Sequence, residues 1–189
     1  IRGTRLRVTL YRVFPYDASA APNDRGGALF VPPSTGRSRI DNSDLYDVLY
    51  TAVEPHGAIA ETFGQLPVWR SATFTHAGGR PYALATLNAP DDIAIFELDN
   101  IDALRSIGIS RPTKVVTRDR EVTQAWARAI FQRGAFAGAR WWSYYNPDWS
   151  VVGFWDYARM TLVGTPAVLA AEGQIVREAA SQIVRQIAR

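Results

Sequence analysis

The sequence predicts a mixed α/β fold, α+β in character, with strands outnumbering long helices in a single domain over residues 1–189. Three observations carry that expectation. Residues Leu6–Phe14 alternate with the period of a strand. Leu45–Gln65 reads as a buried strand, a Pro-Gly turn and the start of a helix. Arg118–Gln132 repeats apolar residues with the period of a helix. The chain has 189 residues, 47% of them hydrophobic, which suffices for a full core and excludes intrinsic disorder.

In the first strand Leu6, Val8, Leu10, Arg12 and Phe14 share one face, and Arg7, Thr9, Tyr11 and Val13 share the other. Residues 17–39 are loop-rich, with Gly26-Gly27 followed by a short strand Ala28–Val31 before Pro32-Pro33. Asp41-Asn42-Ser43 turns into a strand over Tyr46–Val53. Strands are predicted at Val68–Phe74 and Pro81–Leu87, with Gly78-Gly79 between them, and at Ile93–Leu98. Asn100 caps a short helix through Ser106, ended by Gly108. The Arg118–Gln132 helix places Val122, Ala125, Trp126, Ala129 and Ile130 on one face, with Gly134 closing it. Residues 139–156 form two aromatic-rich strands around an Asn-Pro-Asp turn. Thr161–Gly164 is a last short strand, and Glu172–Ala188 a helix with Ile175, Val176, Ala179, Ile183 and Ile187 on one side.

Composition narrows the function. Cysteine is absent, which removes disulfides, thiolate metal sites and a cysteine nucleophile, and fits a cytoplasmic location. Two histidines, His56 and His76, do not make a structural zinc site, so no metal is expected. The net charge is +3, yet the arginines are scattered, which argues against direct binding of nucleic acid. No apolar run reaches the roughly 18 residues of a membrane span, and no signal peptide is legible. The sole methionine is Met160, so the chain as it stands is expected to lack its initiator. GxxxxGK[ST] is absent and no GxGxxG follows a strand, so neither a P-loop nor a Rossmann site is expected.

Charged and polar residues on apolar elements are the site candidates. Arg12 interrupts the apolar face of the first strand; it either snorkels to solvent at a strand end or binds an anion at the floor of a cleft. Glu61 sits among Ala58, Ile59, Ala60 and Phe63; it is either a rim residue or a buried carboxylate that needs a partner. Tyr50 is the polar residue of the central strand. Ser143 shares a face with Trp141 and Tyr145, either as an ordinary strand serine or within an aromatic platform for planar rings.

Arg12, Glu61 and Ser143, in that order, resemble the RES-domain family, named for an Arg, a Glu and a Ser. The matching pieces are Tyr11–Phe14, the Gly-Gly loop with LFVPP, Leu49–Gly64, Thr123–Ile130 and Gly138–Pro147, which together span most of the chain. The resemblance implies a fold similar to the ADP-ribosyltransferase toxins, NAD+ as substrate, and a role as the toxin of a bacterial toxin–antitoxin pair. The implied partner is an Xre-like helix-turn-helix antitoxin. Many members carry an Arg directly after the loop glycines. Here that position is Ala28, with Arg25 and Arg39 as candidate replacements.

The implied chemistry breaks the bond between nicotinamide and ribose. Nicotinamide leaves as a neutral pyridine, so one carboxylate suffices, unlike O-glycoside hydrolysis with its second, protonating carboxyl. On that reading Glu61 bonds a ribose hydroxyl and stabilises the developing positive charge. Arg12 grips the pyrophosphate or ribose. Tyr50 stacks on or bonds near nicotinamide, and Ser143 orients ribose or carboxamide. Tyr11, pointing away from Arg12, ranks lower. The acceptor is water or inorganic phosphate. Two other functions fit the same residues: a protein ADP-ribosyltransferase, and a catalytically silent binding module in which Arg12 and Glu61 form a structural ion pair.

Overall fold

The computed structural model describes the backbone of residues 4–5 and the whole of residues 9–188. Eight strands form one sheet: β1 (Thr4–Arg5), β2 (Thr9–Pro15), β3 (Leu49–Ala52), β5 (Tyr82–Asn88), β6 (Ala94–Glu97), β7 (Gly138–Trp142), β8 (Ser150–Phe154) and β9 (Thr161–Val168), in the order β1-β6-β7-β8-β3-β2-β5-β9. Every pairing is antiparallel except β6 with β7. A separate parallel pair joins β4 (Val68–Trp69) to β10 (Gln186–Ile187). The predicted mixed α/β architecture is therefore the observed one.

Among the described residues four helices cover one face of the large sheet in two groups. Helices α2 (Ile101–Ser106) and α3 (Arg120–Phe131) pack Leu104, Trp126, Ala127 and Ile130 onto Phe96, Ala139, Trp141 and Val151. Helices α1 (Pro55–Phe63) and α4 (Gln174–Gln182) pack Ile59, Phe63, Val176 and Ala179 with Trp69, Phe74 and Leu84. The opposite face of the sheet carries its own core, including Leu10, Phe14, Leu49, Ala85, Leu87, Val152 and Phe154. Both faces are apolar, which is why the strands read as hydrophobic without revealing which side the helices would take.

Local chemistry sets the helix ends. Pro55 begins α1, where its missing N–H costs nothing, so the predicted Pro-Gly turn is instead the first turn of the helix. Asn100 and Asp119 cap α2 and α3, each accepting from two backbone N–H groups. The buried face of α3 is Thr123, Trp126, Ala127 and Ile130. Ala125, expected inward, is exposed; the stripe is rotated because Trp126 anchors against Trp141.

Other expectations are corrected. Ala28–Val31 is turn and coil, because its carbonyls bond to the Arg12 side chain rather than to a ladder. The Tyr46–Val53 strand is limited to β3; Tyr46 instead bonds the Ile40 carbonyl through its hydroxyl. Val68–Phe74 is a two-residue strand followed by a 3-10 turn at Ser71–Phe74. The strand begun at Thr161 runs on through Val168 against β5. The predicted Glu172–Ala188 helix stops at Gln182. Val184 takes a left-handed φ of 55°, and Ile187 pairs beside Trp69 in β10. The Leu6–Val8 part of the predicted first strand lies outside the described residues.

Candidate active site

The two helix groups leave a cleft of about 890 Å³ over the middle of the sheet, within the roughly 300–1,000 Å³ of small-molecule sites. Its floor includes Tyr11, Val13, Tyr50, Ala52 and Val151, and one wall is the α1 residues Ala58, Glu61 and Thr62. The opposing wall is the loop 32–41 together with Arg118 and Arg120 at the start of α3. Strands β2 and β3 pair at one position, Tyr11 with Ala52. Beyond it Arg12, which belongs with Leu10 and Phe14 on the far face, also lines the cleft.

Glu61 is exposed on the cleft wall. Its Oε1 accepts a 2.6 Å hydrogen bond from the Ser143 hydroxyl. Ser143 is only 2% exposed, and its oxygen in turn accepts from the Tyr145 N–H at 3.1 Å. A hydroxyl fixed from both sides holds the carboxylate in one orientation. Sequence reasoning put Ser143 in contact with the ligand; the structure puts it behind Glu61. Gly64 completes this corner: a Cβ there would overlap the Ala60 carbonyl and the Tyr145 ring, so glycine lets that ring approach the end of α1.

Arg12 donates from Nη1 to the Ala28 carbonyl at 2.6 Å and from Nη2 to the Phe30 carbonyl at 2.9 Å. It neither snorkels to solvent nor pairs with Glu61. Burial lowers its pKa to about 10, so it remains charged near neutrality. The segment it holds follows Gly26-Gly27, where a Cβ on Gly27 would overlap the Ala21 and Pro22 carbonyls. Arg12 thus ties the glycine loop to β2 and builds the cleft edge. Arg12→Lys keeps the charge and loses the fork. It is expected to cost about 1–2 kcal/mol, the scale of one charge-assisted bond lost to a buried carbonyl. Urea unfolding measures this; an unchanged midpoint would show that the two carbonyl bonds do not hold the loop.

Tyr50 donates to Asp41 Oδ1 at 2.9 Å and accepts from the Ile40 N–H at 3.1 Å. Burial, then the Asp41 charge, pushes its pKa up, so it stays a neutral phenol. Its hydroxyl is committed to the loop, leaving the ring to face the cleft. Tyr11, ranked low from strand alternation, lies on the floor beside Val13, because the helix-covered face is the one Tyr11 shares.

The structure adds residues that sequence reasoning missed. Arg118 lies over the Tyr144 ring at 4.8 Å. Arg120 and Asp41 also line the cleft. Arg118 and Arg120 flank the cap of α3 and read as an ordinary helix start; only their shared charge marked them. Of the two candidates to replace the loop arginine, Arg39 lines the cleft, and Arg25 is exposed outside it. Among the described residues no three His, Asp or Glu side chains gather to hold a metal ion. Nor, among the described residues, is any helix long and apolar enough to cross a membrane.

These features define a class: an α+β domain whose cleft, lined by five arginines and two acids, presents one serine-held carboxylate. Residues 9–173 match the family model of the RES domain, and the chain belongs to that family. The fold is similar to a chain in the crystal structure of the M. tuberculosis MbcT–MbcA toxin–antitoxin complex. The TM-score is 0.63 at 14% identity, covering 97% of this chain and 92% of that one. No curated protein matches the chain by sequence.

Proposed function

We propose that this protein is the toxin of a toxin–antitoxin pair and acts by cleaving the nicotinamide–ribose bond of NAD+, with water or inorganic phosphate as acceptor. The observation that carries this reading is the Ser143–Glu61 hydrogen bond inside an arginine-lined cleft. A ribosyl cation developing in the transition state needs one oriented anion, and Ser143 holds Glu61 in that role without any reorganisation at the moment of reaction. Glu61 also accepts from a ribose hydroxyl. The rings of Tyr50 and Tyr11 offer flat surfaces to nicotinamide. Arg12 acts chiefly by shaping the cleft edge, with its remaining N–H groups available to ribose.

The partner is an antitoxin of the Xre-like helix-turn-helix type, acting in the cytoplasm; the complex formed by the structural neighbour supports a protein partner. The silent-module alternative loses its motivation, because the Arg12 guanidinium is spent on two carbonyls and not on Glu61.

The test is release of nicotinamide from NAD+ by the purified chain, with and without inorganic phosphate. Release without any protein acceptor supports the reading, and a phosphate requirement identifies phosphorolysis. Slow release coupled to a labelled protein would replace the reading with protein ADP-ribosylation. No release from a folded protein would overturn both.

A further inference from the structure

The wall facing Glu61 carries a cluster that the chemistry at Glu61 does not use. Arg39 is fixed against the chain leading into α3, its Nη1 donating to the Val115 carbonyl at 3.0 Å and the Thr117 carbonyl at 2.8 Å. Arg118 and Arg120 follow directly along that chain, and all three side chains line the cleft. The Nη1 of Arg120 is buried and has no hydrogen-bond partner among the described residues. Burial, and after it the neighbouring charge of Arg120, lowers the pKa of Arg39, as expected of two guanidinium groups held close together.

Among the described residues no salt bridge joins an acid to this cluster, although the charge of Glu61 across the cleft acts on Arg39. Asp41 is occupied by the Tyr50 hydroxyl at Oδ1 and the Ser38 N–H at Oδ2. Asp119 is turned to its capping bonds with the Glu121 and Val122 N–H groups. Glu61 stands on the other wall, bonded to Ser143. Like charges held together with an unsatisfied donor are costly unless an anion joins them. Planar guanidinium forks match the oxygens of a phosphate group better than those of most ligands.

We propose that Arg39 and Arg120, with Arg118 at the rim, form a phosphate subsite on the α3 side of the cleft. It takes either the pyrophosphate of a dinucleotide or a separate inorganic phosphate. The subsite takes over the phosphate grip that sequence reasoning gave to Arg12, whose two Nη atoms hold the glycine loop. It also supplies positive charge that Ala28 cannot. The proposal deepens the NAD+ reading by locating its phosphates, and inorganic pyrophosphate tests it independently of that reading.

The experiment is calorimetric titration of the intact protein with pyrophosphate, phosphate and ADP-ribose. Arg120→Gln is compared with Arg111→Gln, an exposed arginine outside the cleft that makes the same change in net charge. Arg120→Gln is expected to weaken pyrophosphate about tenfold or more, and ADP-ribose by a similar factor where the subsite holds the dinucleotide's phosphates, with Arg111→Gln leaving both unchanged. If ADP-ribose displaces inorganic phosphate, the subsite holds the dinucleotide's own phosphates. If the two bind together, it holds the separate phosphate. Either result supports the subsite. Pyrophosphate binding that depends on Arg120, with no binding of ADP-ribose, keeps the subsite and removes the NAD+ reading. Equal affinities in wild type and Arg120→Gln, or no binding of pyrophosphate or phosphate by wild type, overturn the proposal. Should Arg120→Gln not fold, Arg120→Lys serves instead, with an intermediate loss expected from the missing fork; equal affinities in that variant likewise overturn the proposal.

Discussion

Glu61→Gln is expected to lower NAD+ turnover by roughly two or more orders of magnitude, the scale of removing one preorganised electrostatic group. The substitution keeps the shape of the side chain and its bond to Ser143, since an amide oxygen also accepts from a hydroxyl. On the proposed mechanism it removes the negative charge that stabilises the ribosyl cation. Glu61 is exposed on the cleft wall, so folding stability should change by less than about 0.5 kcal/mol. Ser143→Ala is the graded companion: the carboxylate stays but loses its orientation, and the loss should be smaller. Steady-state nicotinamide release by both variants, with unfolding curves alongside, separates the two effects. A folded Glu61→Gln variant with near-normal turnover would remove Glu61 as the catalytic carboxylate.

Trp69→Ala is expected to cost about 3–5 kcal/mol of stability, as for other buried aromatics truncated to alanine. Trp69 is fully buried, and its Nε1 donates to the Phe63 carbonyl at 3.0 Å. Its ring meets Phe63 and Phe74 edge-on, and Phe63 meets Tyr82 in the same way. This cluster supports the C-terminal end of α1, two residues beyond Glu61. Arg185 supports the same end by donating from Nε to the Gly64 carbonyl at 2.7 Å. The loss is a large share of the 5–15 kcal/mol that holds a typical domain together. Chemical denaturation reads it directly. A loss below about 1 kcal/mol would mean that the cavity collapses freely and that α1 does not depend on Trp69.

Legibility followed the range of the interactions. The strand over Thr9–Phe14, the Asn100 cap and the amphipathic α3 are local features, each written in a few consecutive residues. Arg12, Glu61 and Ser143 were singled out because a charge or hydroxyl on an apolar element is conspicuous in sequence, and the order of the three carried the family resemblance. Element ends were harder. No glycine or proline marks the end of the last helix in the sequence; it closes on a left-handed Val184, with the Arg185 N–H bonding the Ala180 carbonyl, and Ile187 then pairs beside Trp69, well over a hundred residues earlier.

The sequence by itself determined that this is a mixed α/β chain of the RES type, because period, composition and motif order are properties of neighbouring residues. Only the tertiary structure decided what the marked residues do. It placed Ser143 behind Glu61, spent Arg12 on the carbonyls of Ala28 and Phe30, and turned Tyr11 toward the cleft. It also brought Arg39 against Arg118 and Arg120 from some eighty residues away. A strand buried on both faces does not announce which face the helices will cover, and a charge on a loop does not announce its neighbours. Those choices are made by packing, which joins residues that the chain itself keeps far apart.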